Sequence, residues 1–503
     1  MRFNVLFGGK AGQGPNILTH ILGKILIERG FYVFYSRDYE SVIRGGHNFN
    51  VLTFSNEPVH SNDSNIDILV ALDEETVEIH RKDTKKETIL LSGKEENMYF
   101  AGKLFKVLGF EFALLEKELK EIKKRFEENI REAKRGYDEA NQTFKMENIH
   151  SAECKEKRIF KNGSMGIADG AINSGMDIYY AYPMTPATPI LWELAEKQIE
   201  KNFLVLELEN EIAVANAGIG SAITGAKTMV GTSGGGFDLM TEALSLTGIA
   251  GVPLVFYLSQ RPGPATGMAT YTGQGDMNIA RHAGHGEFTR IVLAPGDAKE
   301  CEELTSQAFY FSQKYKIPSI ILSDKHISES FYTLDGKPRL TGSKKWTNFG
   351  RYNSYEKNSQ GSSTENPEIV KRNVDDRNKK RIFIEQESEI FERFKIFGKK
   401  DSENVIVSWG SPKGAIIDAI KYGEIDAKFV QILYIEPFPK EIWNELLGKN
   451  IILVENNSTS PLNDLLKEKI GFNAPPKSII LRYDGRPFIR NELEIEIKKR
   501  LRK

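Results

Sequence analysis

Cysteine is scarce in this sequence, because Cys154 and Cys301 are its only two in 503 residues. The two lie far apart in the chain, so the sequence excludes a disulfide framework. An iron–sulfur cluster normally needs four thiolates, and a structural zinc site usually needs several closely spaced Cys and His. We therefore expect any redox centre to come from another chain.

The chain also lacks an excess of charge and a long apolar run. Its 68 basic and 69 acidic side chains give a net charge of −1, which provides no overall attraction to nucleic acid or to an anionic membrane. No apolar run approaches the roughly 18 residues of a membrane span, and residues 1–7 lead into a glycine loop too early for a signal peptide. We expect a cytoplasmic protein without nucleic-acid or membrane partners.

The length of the chain predicts two or three domains, and alternating apolar and helical segments predict the α/β class with parallel, doubly wound sheets. We place a first domain at residues 1–158, closed by a charged helix from about Glu116, and a second at 159–335. A polar connector at 336–390 leads to a third domain at 391–503. The strands predicted for the last two domains are 177–181, 203–208, 227–231, 253–258, 291–294, 318–322, 404–409, 429–435, 451–455 and 478–482.

The first domain opens with a strand that leads into a glycine loop at residues 8–14 and a helix begun by Pro15 and ended by Gly30. A strand at 31–35 completes a strand–helix–strand unit whose loop N–H groups are a place for an anion. Asp38 follows where a dinucleotide-binding acid is expected, although the loop glycines are spaced differently from G-x-G-x-x-G. A nicotinamide-dependent oxidoreductase is therefore one alternative.

Three segments of the second domain follow predicted strands. They are residues 182–188 (Tyr-Pro-Met-Thr-Pro-Ala-Thr), 207–211 (Glu-Leu-Glu-Asn-Glu) and 261–267 (Arg-Pro-Gly-Pro-Ala-Thr-Gly). Ligands of open parallel sheets bind at the carboxyl ends of the strands, where a hydroxyl, a carboxylate and a guanidinium can converge. The glycines of residues 232–237 allow the backbone to come near a ligand. The pattern predicts a site for a small acid.

Five motifs follow one another in this domain: Tyr-Pro-Met-Thr-Pro, Asn-Glu-Ile-Ala, Thr-Ser-Gly-Gly-Gly-Phe, Gln-Arg-Pro-Gly-Pro-Ala-Thr-Gly and His-Ala-Gly-His-Gly-Glu-Phe. Together they resemble the α subunit of 2-oxoacid:ferredoxin oxidoreductases, in the form with a γ domain fused in front. Residues 11–14 and 43–48 are similar to the γ domain, and residues 482–488 resemble the family's carboxyl end. The resemblance covers nearly the whole chain. It implies a γ-like first domain, a pyrimidine-binding second domain and a transketolase C-terminal-like third domain.

The resemblance implies oxidative decarboxylation of a 2-oxoacid to an acyl-CoA, with coenzyme A as cosubstrate and thiamine diphosphate as cofactor. Glu211 would hydrogen-bond the aminopyrimidine ring and promote ylide formation. Tyr182 and Pro183 would contact the cofactor, while Thr185 and Arg261 would bind the substrate carboxylate. The sequence does not distinguish pyruvate from 2-oxoglutarate or other 2-oxoacids.

Each of these residues also has a purely structural interpretation. An acid such as Glu211 is favoured at a helix amino terminus by the helix dipole. Thr185 can be a turn hydroxyl, and Arg261 can form a surface salt bridge. The location of all three at predicted strand ends of one domain favours the functional interpretation.

The sequence has no Gly-Asp-Gly segment followed by a ligating Asn, and so no anchor for a diphosphate and Mg²⁺. The resemblance implies that a β subunit supplies this anchor and an iron–sulfur cluster that reduces ferredoxin, in a dimer of heterodimers. The chain alone would then be inactive, and a non-catalytic assembly subunit is the other alternative. His282 and His285 lack a third ligand for a metal, so we interpret them as part of a structural or substrate-proximal loop.

Overall fold

A computed structural model describes residues 2–42, 46–122, 125–141, 144, 158–346 and 351–501. The chain forms two compact units. The first comprises Met1–Lys161, Ser330–Gly336 and Ile489–Leu493, and the second comprises Asn162–Glu329, Lys337–Phe488 and Glu494–Lys503. Cys154 and residues 43–45 of the γ-like motif lie outside the described residues.

The first unit contains a mixed sheet with helices against it. Its elements are β1 (Arg2–Lys10), α1 (Pro15–Glu28), β2 (Tyr32–Tyr39), β3 (His47–Ser55), β4 (Ile66–Ala71), α2 (Glu74–His80), a 3₁₀ turn (Arg81–Asp83), β5 (Thr84–Ser92), α3 (Asn97–Val107), α4 (Phe112–Glu121), α5 (Phe126–Glu139), β6 (Ile159–Asn162) and the later strand β13 (Phe331–Leu334). The strand order is β5-β4-β1-β3-β2-β13-β6.

The predicted strand–helix–strand unit is present as β1–α1–β2, but β3 lies between its two strands and is antiparallel to both. The first sheet is therefore mixed, whereas the sequence pattern predicted parallel strands. The reason is the short connection at residues 40–46, since a parallel crossover needs about a dozen residues or more. Only β1, β4 and β5 are parallel neighbours in the recorded pairings of this sheet.

The charged segment that begins near Glu116 forms two helices, α4 and α5, rather than one. The first helix ends at Glu121, and Arg125 precedes α5 in a left-handed conformation with φ of 54°. Helix α5 packs closely on α3 at Gly136. A Cβ at this position would lie only 2.0 Å from the carbonyl oxygen of Tyr99, so the contact leaves no room for a side chain. Residues 145–157, the end of the predicted helix, are outside the described part of the chain.

The second unit contains two further sheets. Its elements are α6 (Gly163–Asn173), β7 (Ile178–Ala181), α7 (Thr188–Lys201), β8 (Leu204–Glu207), α8 (Glu211–Ile223), β9 (Thr228–Thr232), α9 (Gly234–Leu239), α10 (Thr241–Ala250), β10 (Leu254–Gln260), α11 (Met277–His282), β11 (Ile291–Leu293), α12 (Ala298–Tyr315), β12 (Ser319–Asp324), α13 (Lys325–Glu329), α14 (Pro367–Ser388), β14 (Phe394–Gly398), β15 (Asn404–Trp409), α15 (Lys413–Tyr422), β16 (Lys428–Ile432), β17 (Tyr434–Glu436), a 3₁₀ turn (Lys440–Ile442), α16 (Trp443–Leu446), β18 (Asn450–Glu455), α17 (Pro461–Ile470), a 3₁₀ turn (Pro476–Ser478), β19 (Ile479–Leu481) and the last helix α18 (Arg490–Leu501).

The sheets of the second unit have the predicted parallel architecture, and the α/β fold class is confirmed. The second sheet has the order β17-β11-β12-β10-β9-β7-β8, and the third has β14-β16-β15-β18-β19. Only the edge strands β17 and β14 are antiparallel to their neighbours. The predicted strand at 429–435 is two strands, β16 in the third sheet and β17 in the second.

Apolar side chains cover both faces of the second sheet. One cluster joins the strands to α6, α7 and α12, and includes Tyr179, Tyr257 and Phe309. The cluster on the other face joins them to α8 and α10 and continues into the third sheet through residues such as Val405 and Trp409. The predicted connector contributes α14, which confirms its helical end. The division of this unit at 336–390 into two domains stays a prediction.

Candidate functional site

The carboxyl ends of four neighbouring parallel strands form one edge of the second sheet. These strands are β10, β9, β7 and β8, in that order. The segments that follow them carry Arg261, Gly234–Gly236, Tyr182–Pro186 and Glu211, respectively. The structure therefore places all the sequence-predicted site residues at a single sheet edge, where a parallel sheet binds ligands.

Glu211 is the first residue of α8. Asn210 precedes it in an extended conformation and caps the helix, since its side chain accepts a hydrogen bond from the N–H of Ala213 at 2.9 Å. The Glu211 side chain is only 3% exposed, and its Oε1 has no hydrogen-bond partner among the described residues. A buried polar atom without a partner is costly, so this oxygen is suited to a hydrogen bond with a ligand.

The glycine run after β9 makes room for acidic side chains. A Cβ on Gly236 would lie 2.6 Å from Glu211 Oε1 and 2.1 Å from Thr232 Oγ1. A Cβ on Gly234 would lie 2.5 Å from Asp276 Oδ2. Neighbouring side chains thus leave no room for a Cβ at either position, while the predicted approach of a ligand to this backbone stays a prediction.

Arg261 directly follows β10 and is held by the loop after β7. Its Nη1 donates a hydrogen bond to the carbonyl oxygen of Thr185 at 2.7 Å, whereas its Nε is buried without a partner among the described residues. Burial lowers the pKa of Arg261, and the negative charges of Asp276 and Glu211 act in the opposite direction. The guanidinium therefore lies within the electrostatic field of both acids and retains a free donor.

Tyr182 and Pro183 begin the same loop after β7, and both are exposed. Thr185 is partly buried and lies two residues further along. The loop thus presents an aromatic ring and a proline ring beside the backbone carbonyl that positions Arg261. Arg261 and Thr185 contact each other through the Thr185 main chain, a contact that the sequence did not predict, and their predicted roles toward a substrate carboxylate stay predictions.

Asp276 is a site residue that the sequence interpretation missed. Burial, and to a smaller extent the charge of Asp238, raise its pKa to about 6 against the opposing effect of Arg261. Its N–H donates to Gln260 Oε1 at 2.9 Å, and its Oδ2 is buried without a partner in the described structure. An acid just before a helix resembles an ordinary cap, but this side chain makes no capping hydrogen bond with α11.

The other candidate residues, His282 and His285, are exposed. His282 ends α11, and Ser245 Oγ lies 3.3 Å from His285 Nδ1 and donates to the His285 carbonyl oxygen at 3.1 Å. Within the described ranges, no group of three or more His, Cys, Asp or Glu side chains is arranged to hold a metal ion. In the first unit, the glycine loop is held by Gln13, whose side chain accepts from the Lys10 N–H and donates to the Leu72 carbonyl.

Comparisons with known proteins agree with this arrangement. The family model of the thiamine diphosphate-binding domain of pyruvate flavodoxin/ferredoxin oxidoreductases matches residues 169–391, which include the whole candidate site. The model of the pyruvate ferredoxin/flavodoxin oxidoreductase family matches residues 4–96. No helix among the described residues is long and apolar enough to cross a membrane.

Several relatives match over most of their length. The 2-oxoacid:ferredoxin oxidoreductase subunit alpha of a Sulfolobus species is 29% identical over 98% of this chain and 96% of its own, and a Sulfurisphaera tokodaii subunit alpha is 28% identical over 98% and 97%. The 2-oxoglutarate synthase subunit KorA of Methanocaldococcus jannaschii is 29% identical over 59% of this chain and 88% of its own.

A solved structure shares the fold. The 2-oxoglutarate:ferredoxin oxidoreductase from Magnetococcus marinus, solved with 2-oxoglutarate, coenzyme A and succinyl-CoA bound, superposes with a TM-score of 0.87. The match covers 99% of both chains at 22% sequence identity. The family models and the near full-length relatives agree in what they indicate: the chain is similar to the alpha subunits of 2-oxoacid:ferredoxin oxidoreductases.

Proposed function

We propose that this chain is the α subunit, with a γ-like domain in front, of a cytoplasmic 2-oxoacid:ferredoxin oxidoreductase. In this reaction the 2-oxoacid loses CO₂, its acyl group passes to the sulfur of coenzyme A, and two electrons pass to ferredoxin. The observation that carries the proposal is the sheet edge at which the buried, unpartnered Glu211 Oε1 lies near the guanidinium of Arg261. The names of the alpha-subunit relatives support the reaction class.

Thiamine diphosphate, when bound, supplies the electron sink that decarboxylation of a 2-oxoacid requires. The residues present fit its aminopyrimidine ring, because Glu211 offers a buried oxygen without a partner and Gly236 places no side chain against that oxygen. Glu211 would hold or donate the proton at the ring nitrogen. Tyr182 and Pro183 would contact the ring from the loop after β7.

Arg261 and Thr185 would bind the substrate carboxylate. The contact from Nη1 to the Thr185 carbonyl fixes the guanidinium at the sheet edge, while Nε remains available as a donor. A guanidinium matches the planar geometry of a carboxylate, and the Thr185 hydroxyl adds a further donor on the neighbouring loop. These two residues would therefore orient the 2-oxoacid for loss of its carboxylate.

A β subunit would complete the site, with the diphosphate and Mg²⁺ anchor and the iron–sulfur cluster, in a dimer of heterodimers. Exposed apolar side chains on and around the edge strand β8 support a protein partner. They are Trp192 and Ile199 of α7, Leu204 of β8 and Ile212 of α8, with exposed fractions from 52% to 89%. Apolar patches and unpaired strand edges of this kind mark interaction surfaces.

The proposed domains follow from this assignment. Residues 1–158 would form the γ-like domain, 159–335 the pyrimidine-binding domain and 391–503 the transketolase C-terminal-like domain, with a connector at 336–390. Limited proteolysis of the assembled complex tests these boundaries. We expect cleavage first within the polar connector, and early cleavage inside 159–335 instead would contradict the proposed boundaries.

The proposal is tested by purifying the chain with its β partner and assaying pyruvate, 2-oxoglutarate and branched 2-oxoacids with coenzyme A and a viologen dye. We expect no turnover by the chain alone and turnover of at least one 2-oxoacid by the complex. Glu211→Gln should abolish that turnover, whereas Glu207→Gln, which changes an exposed acid at the end of β8, should not. Full activity of Glu211→Gln would show that Glu211 has no catalytic role. If Arg261→Gln were fully active as well, the alternative of a non-catalytic assembly subunit would be favoured.

A further inference from the structure

A cavity of about 310 Å³ lies at the opposite end of the second sheet from Glu211 and Arg261. Its wall includes Gly251, three residues before the start of β10, and Lys316, three residues before the start of β12. In a parallel sheet these are the amino ends of the strands, away from the carboxyl edge that forms the candidate active site. The cavity is therefore separate from the proposed catalytic residues.

Four basic side chains line this cavity: Lys316, Arg351, Arg377 and Lys380. Arg377 has a carboxylate partner, because its Nη2 lies 2.5 Å from Glu356 Oε1. Arg351 donates to the hydroxyl of Ser362 at 3.3 Å and has no carboxylate partner among the described residues. In the part of the chain that the structure describes, Lys316 and Lys380 have no carboxylate oxygen within 4.0 Å. The cavity thus carries an excess of positive charge.

Lys316 and Lys380 also have pKa values below the ordinary lysine value. Burial lowers the pKa of both, and the nearby Lys316 and Arg377 lower the pKa of Lys380 further, while Asp376 opposes this effect. Such like-charge clusters are costly without a counter-charge. A bound anion would relieve both the repulsion and the loss of solvation.

Aromatic side chains form another part of the wall. The ring centroids of Trp346 and Tyr352 are 6.0 Å apart, and the rings meet at 86°. Lys316 Nζ lies 4.8 Å from the centroid of the Trp346 ring, and the indole N–H is buried without a partner among the described residues. Gly248, Ile249 and Ala250 add the last turn of α10, whose carbonyl groups lack intrahelical partners.

We propose that this cavity binds a nucleotide. The base would lie against Trp346 and Tyr352, with its amino groups toward the carbonyl groups that end α10, and the phosphates would lie against Lys316 and Lys380. The cavity volume falls at the small end of the range for small-molecule sites. Aromatic stacking together with basic side chains is the chemistry by which proteins hold a base and its phosphates.

The test uses the assembled complex and calorimetric titration with ADP, adenosine and inorganic phosphate. We expect saturable binding of ADP, with adenosine and phosphate each bound at least about tenfold more weakly, because each offers only half of the contacts. Coenzyme A as a competitor of ADP distinguishes the source of the ligand. If coenzyme A displaces ADP and the Lys380→Gln variant weakens this displacement, the site holds the nucleotide part of coenzyme A. If coenzyme A does not displace ADP, the site holds a free nucleotide.

Substitutions of the lysines that line the cavity test whether ADP binds there. Lys316→Gln and Lys380→Gln should each weaken ADP binding about tenfold. Lys379→Gln is the matched control, since Lys379 is exposed and pairs with Asp376 at 3.1 Å, and it should leave binding unchanged within about twofold. Retained viologen turnover at saturating coenzyme A in all three variants confirms that they fold. Absence of saturable ADP binding below about 1 mM, or equal binding by the three variants, overturns the proposal.

Discussion

Replacing Asp276 by Asn should make the second unit more stable at neutral pH. Asn has nearly the shape of Asp but cannot ionise, so the variant keeps the packing of the side chain against Gly234 and removes its charge. The carboxyl group is buried at the sheet edge, and its Oδ2 has no partner among the described residues. A buried charge of this kind lowers stability whenever the pH forces it to ionise.

The magnitude follows from the pKa of Asp276, which burial and then Asp238 raise from the ordinary 3.8 to about 6. As the pH rises above 3.8, the unfolded chain loses this proton first, so the folded state loses stability until the pH passes about 6. Each pKa unit corresponds to about 1.36 kcal/mol. The difference between 3.8 and about 6 therefore lowers the free energy of unfolding by about 3 kcal/mol. Above pH 6 the full loss applies to the wild type and not to Asp276→Asn.

The assay is urea unfolding followed by tryptophan fluorescence. All four tryptophans, at positions 192, 346, 409 and 443, belong to the second unit, so the signal reports on the unit that holds Asp276. We expect the variant to exceed the wild type by up to about 3 kcal/mol at pH 7.5 and by little at pH 4. Glu209→Gln, an exposed acid on a neighbouring strand end, should change stability by less than about 0.5 kcal/mol. A variant no more stable than the wild type at pH 7.5 would refute the reasoning.

Two further predictions concern the same sheet edge. Arg261→Gln should raise the KM for the 2-oxoacid about thirtyfold in the viologen assay, because a charge-assisted hydrogen bond to the carboxylate contributes about 2 kcal/mol. An unchanged KM would show that Arg261 does not bind the substrate. Gly236→Ala should abolish turnover and cost about 1–3 kcal/mol in urea unfolding, since its methyl group would collide with Glu211 Oε1 and Thr232 Oγ1. Gly235→Ala is the control, because an added Cβ there meets no atom closer than 3.6 Å.

The strand ends of the second sheet could be predicted because its strands are buried on both faces. Continuous apolar runs of this kind stand out from their polar flanks, so the predicted strands at 177–181, 253–258 and 318–322 agree within a few residues with β7, β10 and β12. Once the ends are known, the common edge of a parallel sheet brings Thr185, Glu211 and Arg261 together without knowledge of any side-chain contact.

Features that depend on distant pairing could not be predicted in the same way. β13 pairs with β2 across about 300 residues of sequence. β17 directly follows β16 of the third sheet in the chain but pairs with β11 of the second sheet. Neither pairing has a local signature, because periodicity shows that a segment is extended but not which strand it joins. Asp276 was missed for a related reason, since it lies against Gly234 and is affected by the charge of Arg261, and both residues come close to it only in the folded chain.

The unpartnered atoms at the sheet edge argue that this unit is completed by a ligand. Glu211 Oε1, Asp276 Oδ2 and Arg261 Nε are all buried without a partner in the described structure, and each such group costs about 1–3 kcal/mol. One such atom is compatible with a local packing defect. Three such atoms, two on acids and one on a guanidinium, all follow strands of one parallel sheet, and hydrogen bonds that a bound molecule supplies explain them better. Binding of a ligand that supplies these hydrogen bonds should therefore stabilise the second unit.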